Sequence, residues 1–426
     1  MAEAAVIRAL AFYGPLALVV AAGALVRPDR RRAGAALLAT LWDLAALLAV
    51  NVVAARAGWW RFDTVGGEVA GVPVEAWLGW ALLWGAFPAV LPRRVPAVAV
   101  VAGLVWIDLV LMPLGHPVVV LGDDWLVGEA VAVVAALVPG LLLARETARR
   151  RSLTFRVGMQ VALFIGLIAG AATQAVLDAT GGSWARLRLD RPGVQLALQA
   201  IALLTVPALA AVGELARRGR GTPYPFDPPD RLVTSGPYSY VANPMQVSMT
   251  LALVVWGALL GSWAVVGLAV VGAAFSAGIA GWHEDTDLRE RHGEAWYAYR
   301  RHVRTWWPRA RPWVGTTAAL YVAPGCDPCA GVGRWIAGRR PAGLRIRPAT
   351  DAPHPLGRLT YVGGDGHETS GVAAFARALE HIHLGWAVLA WLLLLPGLGR
   401  FVQLVVDAVG GGPLAEPVGG SAPHAA

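Results

Sequence analysis

The chain has 426 residues, of which 56% are hydrophobic and only 15% charged, with a net charge of +8 and a mean hydropathy of +0.54. That balance excludes an ordinary soluble domain and a disordered chain, and it points to a membrane protein. All 36 basic residues are arginines. They gather at Arg27/Arg30/Arg31/Arg32, Arg93/Arg94, Arg145/Arg149/Arg150/Arg151 and Arg217/Arg218/Arg220, each beside an apolar stretch. This is a positive-inside pattern rather than a nucleic-acid footprint, so no nucleic-acid partner is expected.

In chain order, residues 6–26 form the first apolar segment. Glu3 precedes it, with no basic leader and no clear small-residue cleavage site, so an uncleaved helix is expected rather than a signal peptide. Further apolar segments fall near 33–55, 73–92, 95–113, 124–144, 157–177 and 193–215, bounded by Arg, Pro or Gly. The stretch 247–282, interrupted at Gly261-Ser262, is too long for one span and suits two short ones. The expected fold is mainly α, a polytopic membrane helix bundle of about nine hydrophobic segments, followed by a small C-terminal α/β domain. If 27–32 is cytoplasmic, alternation puts 93–94, 145–156 and 216–243 on the same side. The N-terminus is then outside and everything beyond Trp282 is cytoplasmic.

Residues 59–77 carry Trp59-Trp60-Arg61-Phe62 and Gly71-Val72-Pro73-Val74-Glu75-Ala76-Trp77. The simpler and preferred reading sets Pro73 in the first turn of a span, with Glu75 complementing the helix N-terminus and the tryptophans forming an interfacial belt. The same residues are similar to the lycopene cyclase domain, where a tryptophan-rich loop precedes a Gly-x-Pro-x-Glu-Glu; here Ala76 replaces the second glutamate. Asp43, Asp108 and Glu129 fall inside apolar segments, where a carboxyl group is costly and marks a functional site by default. They either meet, to move a proton or stabilise a carbocation, or are protonated structural groups.

The stretch 224–308 organises the rest. A polar loop contains Gly236-Pro237-Tyr238-Ser239-Tyr240-Val241-Ala242-Asn243-Pro244-Met245, and the apolar hairpin follows it. A charged segment from His283-Glu284-Asp285 to Tyr299 comes next, closing at Trp306-Trp307-Pro308. Glu284, Leu288, His292, Trp296, Tyr299 and Val303 recur at helical spacing, which places them on one helix face. Such a face either lines a pocket for a cationic cofactor or lies on the membrane surface with its aromatics as anchors.

These ordered motifs resemble the isoprenylcysteine carboxyl methyltransferase and phospholipid methyltransferase family, integral membrane enzymes that use S-adenosylmethionine. The resemblance implies that Tyr238, Asn243, Pro244 and Glu284 wrap the cofactor, with Asp285, Trp296 and Tyr299 as further contacts. His283 or His292 can take a proton from the acceptor, although a carboxylate acceptor needs no base. The acceptor is expected to be a membrane lipid or a prenylated or other hydrophobic small molecule, entering from the lipid bilayer. The chain departs from the family at Ala242, where an arginine is usual, at Gln246 for tyrosine, at Asp285 for the second glutamate and at His292 for an aromatic. Two alternatives stay open: an NADPH-dependent sterol-reductase-like or carotenoid cyclase-like enzyme, and a non-catalytic membrane protein.

Past a proline- and arginine-rich linker at 309–317, the chain changes character. A strand is expected at 318–322, a turn at 324–329, a helix at 330–339, strands at 344–348 and 358–362, and a helix at 369–382. The two cysteines, Cys326 and Cys329, stand three apart at the start of the first helix. A helix N-terminus stabilises a thiolate there, and a reducing cytoplasm does not favour a static disulfide. His354, His367, His381 and His383 supply no spaced second pair, so no metal site is expected. The pattern resembles a thioredoxin-like unit and, more narrowly, the DCC thiol–disulfide oxidoreductase-like family, including its Leu394-Leu395-Pro396 element and closing helix at 401–409. This implies a redox role for Cys326 and Cys329. The acidic motif before the first cysteine and the cis-proline strand are missing, so a retained fold with altered chemistry also stays open. The apolar run 384–395 is short for a span and suits docking on the membrane face. The expected domains are 1–215, 216–308 with the methyltransferase-like motifs, the linker 309–317, and 318–426.

Overall fold

The structure, a computed structural model, describes the chain except residues 1, 64–65, 93, 324–326, 415–416 and 420–426, and except the side chains of 2, 279–280, 283–284 and 327–329. The chain is mainly helical. Among the described residues, six helices are long and apolar enough to cross a membrane, or seven if the bent pair Leu384–Leu393 and Leu398–Gly411 is one span. The other three expected segments are apolar helices of 10–17 residues, Val74–Val90, Pro244–Leu260 and Trp263–Gly278.

Two compact units divide the chain. The first holds Met1–Arg188, Gly221–Pro228 and Trp256–Val266. Helix Arg30–Ala57 is its axis: 44% of its most apolar window is buried, and Asp29 caps it by accepting from the Arg32 N–H at 2.7 Å. Small residues set the close approaches. A side chain at Gly85 would come within 2.6 Å of the Thr40 backbone, and one at Gly79 within 1.8 Å of the Ala11 carbonyl. Strands β1 (Trp60–Phe62) and β4 (Val119–Leu121) pair antiparallel, as do β2 (Glu68–Val69) and β3 (Val72–Pro73). Trp60 is buried and donates to Asn51 Oδ1 at 2.8 Å; its ring meets Trp80 at a tilt, and Trp80 meets Trp84 edge-on. Pro73 stands one residue ahead of helix Val74–Ala81 rather than in its first turn, and Glu75 pairs with Arg8 at 2.8 Å.

Asp43, Asp108 and Glu129 are all buried. Asp108 and Glu129 lie within interaction range of each other, whereas Asp43 sits against Gly140 in helix Val138–Arg149. Two of the three carboxyl groups therefore meet, and the third stands against a glycine notch.

The second unit holds Leu189–Arg220, Pro229–Val255 and Gly267–Ala426. It contains the span Pro192–Gly219, the motif-bearing loop, the helices after the hairpin and a C-terminal sheet. Strands β5 (Ala318–Val322), β6 (Leu344–Pro348), β7 (Thr360–Val362) and β8 (Glu368–Ser370) lie in the order β6-β5-β7-β8. β5 and β6 are parallel and joined through helix Asp327–Ala337, while β7 and β8 return antiparallel. Alternating Ala318, Leu320 and Val322 meet Ile336, Tyr361, Ala374 and Ala378 in the core. The expected 369–382 helix is shorter, Val372–Leu379, because 368–370 forms β8 instead.

His381 ties this core together. Its Nδ1 hydrogen-bonds the Ala342 carbonyl at 2.7 Å and its Nε2 meets the Tyr361 hydroxyl at 2.9 Å. Burial, the largest effect, pulls its pKa down to about 4. The unfolded chain therefore binds a proton between about pH 6.5 and 4 that the folded chain refuses, and stability falls as the pH drops through that window. About 2 kcal/mol is expected to be lost by pH 5, read as a lowered denaturation midpoint of the α/β region. His381→Gln should flatten that pH dependence; an unchanged slope would rule His381 out as its source.

Candidate functional site

The site is built on the loop between the span Pro192–Gly219 and helix Pro244–Leu260. Gly236 opens a short 3-10 turn, Gly236–Ser239, with φ +60°, and a Cβ there would stand 2.8 Å from Glu214 Cγ. Both facts require glycine. Gly236→Ala is expected to cost about 1–2 kcal/mol from the left-handed backbone alone, seen as a lower unfolding midpoint; wild-type stability would mean that the turn relaxes.

Tyr238 and Tyr240 point into apolar surroundings. Tyr238 packs with Ala211, Leu215, Val233 and Met245, and Tyr240 lies with Val206, Ala210 and Trp391. The loop is then strapped to the segment after the charged helices. The Ala242 N–H donates to the Arg304 carbonyl at 2.9 Å and the Asn243 N–H to Thr305 at 3.2 Å. The Arg309 N–H bonds the Tyr240 carbonyl, and that of Trp313 bonds Ser239. Pro244 is the first residue of its helix, where a missing N–H costs nothing, and the Asn243 side chain donates to Gln246 Oε1 at 2.6 Å.

The charged segment is two helices, Gly281–His292 and Glu294–His302, separated at Gly293, whose φ is +49°. This corrects the single continuous face expected from the spacing: a positive-φ glycine ends the first helix and re-aims the second. Leu288, Trp296, Tyr299 and Val303 still cluster, around Leu232, Ala242 and Trp313. The Trp296 indole N–H donates to Asp285 Oδ1 at 2.9 Å, and Asp285 forms an ion pair with Arg289. The Tyr299 hydroxyl donates to the Tyr238 carbonyl at 2.8 Å. Arg300 reaches the Val303 carbonyl and the Thr305 hydroxyl, and stacks over Trp296 at 5.6 Å.

A cleft of about 380 Å³ opens among these groups, with Asn243, Asp285, Arg289, Trp296, Arg300 and Thr305 in its wall. That volume suits a small-molecule ligand. Three residues expected at a cofactor site, Asn243, Asp285 and Trp296, meet here. Tyr238 and Tyr299 are buried behind the wall. His292 lies outside the wall; its Nε2 is buried without a hydrogen-bond partner, and burial followed by Arg291 lowers its pKa below the usual 6.5. The side chains of His283, Glu284 and Cys329, and Cys326 as a whole, lie outside the described residues. Arg289, Arg300 and Thr305 were not anticipated. Arg289 stands four after Asp285 and Arg300 four after Trp296, a spacing that could have found them.

The fold defines a polytopic helical membrane protein. Within it, residues 194–295, roughly a quarter of the chain, match the family model for phospholipid methyltransferase. The matched region takes in the span, the loop, the hairpin and the first charged helix, and it ends one residue before Trp296. No curated protein matches the chain, and no solved structure matches it.

Proposed function

We propose that the protein is an S-adenosylmethionine-dependent methyltransferase of the membrane, acting on a lipid acceptor. The observation that carries this reading is the cleft in the wall of which one carboxylate, two guanidinium groups, an amide and an indole stand together. That donor set fits the cofactor. Asp285 suits its ammonium group, Arg289 and Arg300 its carboxylate, and Asn243 and Thr305 its remaining hydrogen-bonding atoms. When bound, the cofactor supplies a methyl group on a positively charged sulfur, which departs as a neutral thioether.

The chain's own residues position and shield. Trp296 is held by Asp285 and capped by Arg300, so one wall of the cleft is rigid. Ala277, Gly281 and Trp282 extend the lining toward the hairpin, and Trp282 is exposed. An apolar acceptor approaching from the bilayer meets this side first. A carboxylate acceptor needs no base. An ammonium headgroup must lose a proton before it can accept, and His292, the base expected from the sequence, stands outside the cleft wall. In this reading the N-terminus is outside and the cleft faces the cytoplasm, where the arginine-rich loops lie. The four-stranded order β6-β5-β7-β8 supports a thioredoxin-like fold for 318–426, and a redox role for Cys326 and Cys329 rests on their spacing in the sequence alone.

The test is transfer of labelled methyl from S-adenosylmethionine to vesicles carrying phospholipids with free amine headgroups. Label in the lipid phase that Asn243→Ala and Arg300→Ala both diminish is expected. Label absent with every lipid class, while the cofactor still binds, would contradict the lipid acceptor.

A further inference from the structure

Helix Leu398–Val406 and the turn after it carry their polarity the wrong way round for a helix covering a soluble domain. Phe401, Leu404, Val405 and Val409 are 63%, 68%, 45% and 79% exposed. The spacing of three and one puts Phe401, Leu404 and Val405 on one helix face, and Val409 stands exposed in the turn just beyond it. The polar side is turned inward and bonded. Gln403 Oε1 accepts from the Val372 N–H at 2.8 Å, Gln403 Nε2 donates to Asp407, and Arg358 holds the Asp407 carboxylate at 2.5 and 3.0 Å. A side chain at Gly371 would meet Gln403 at 2.2 Å, so this inward docking is fitted closely. Water is the wrong solvent for the face left outside.

What covers that face follows from the preceding helix. Ala387 and Trp391 of Leu384–Leu393 are buried against Val206 and Ala210 of the span Pro192–Gly219. Val206 lies eight residues before Glu214, about 12 Å along the helix axis, so the contact is well inside the apolar part of the span. From there the chain bends by 88° into Leu398–Gly411, at Gly397 with φ +88°. The outward apolar face thus lies one bend beyond a helix packed on the apolar part of a candidate span.

We propose that helix Leu398–Val406 lies in the bilayer interface, its Phe401/Leu404/Val405 face and the Val409 side chain among the acyl chains, and clamps the α/β region to the membrane. Arg400, exposed on the same helix, meets lipid phosphates at the boundary. The inference rests on burial and hydrogen bonding alone and is independent of the methyl-transfer reading.

The experiment is nitroxide accessibility on the full-length protein in phosphatidylcholine/phosphatidylglycerol vesicles. Phe401→Cys, Leu404→Cys and Val409→Cys are made one at a time in a Cys326→Ser/Cys329→Ser background, with Arg345→Cys on an exposed strand position as the water reference. Collision with oxygen relative to a water-soluble nickel chelate should be several-fold higher at these three positions than at 345. A ratio equal to that at 345 would overturn the proposal in favour of a water-facing helix. Low collision with both reagents at all three would overturn it in favour of a protein partner, including a second copy of this chain.

Discussion

Arg377→Met is expected to destabilise the second unit by about 3–5 kcal/mol, the cost of breaking a buried ion pair from one side. Arg377 is 2% exposed, between Glu214 at 1% and Glu380 at 6%. It hydrogen-bonds both, with Glu380 at 3.0–3.2 Å. Burial opposes its charge, but Glu380 and Glu214 more than offset this and hold its pKa above the usual arginine value. Methionine fills the space and leaves two carboxylates without their shared counter-charge. Glu214 also accepts from Ser235 at 2.7 Å and pairs with Arg218, which in turn reaches Asp365. The same cluster therefore anchors both the loop before Gly236 and the α/β region. Denaturation of the purified protein measures the loss; Arg377→Met/Glu214→Gln/Glu380→Gln should regain much of it by removing the stranded charges. A single-variant loss under about 1 kcal/mol would mean that water reaches the cluster and the carboxylates stay solvated.

Asp285→Ala is expected to weaken S-adenosylmethionine binding ten- to a hundredfold, about 1.4–2.8 kcal/mol. Two effects combine: the cleft loses its negative charge, and the Trp296 indole loses its acceptor. Asp285→Asn separates them, since an amide oxygen can still accept from Trp296 while the charge is gone. If charge on the ligand's ammonium dominates, the two substitutions should be nearly equal. If Asp285 serves only to hold Trp296, Asn should restore most of the affinity. The ion pair with Arg289 is partly exposed and contributes little to stability itself, so any change in affinity reflects the cleft rather than unfolding.

The long apolar segments were legible because twenty or so residues of one character can do little but span or pack. Of the three shorter ones, the hairpin pair was legible as two short helices from the break at Gly261-Ser262, whereas Val74–Val90 read only as hydrophobic, since its length carries no hydropathy signal. Helical spacing ran straight through Gly293, because periodicity records side-chain types and is blind to a residue whose purpose is a positive φ. Strand β8 is three polar residues, and only its pairing with Thr360–Val362 makes it a strand. Asn243 was found from its motif. Thr305 was hidden because only the backbone pairing of 242–243 with 304–305 brings it to the cleft. Arginines near a membrane also have a ready explanation in topology, and that concealed Arg289.

The most direct measurement is calorimetric binding of S-adenosylmethionine to the detergent-purified full chain, with NADPH titrated in parallel. Micromolar binding of S-adenosylmethionine, weakened tenfold or more by Asn243→Ala and by Asp285→Ala, about 1.4 kcal/mol or more each, is the expected result. No heat with S-adenosylmethionine, or binding of NADPH in its place, would contradict the account at its centre.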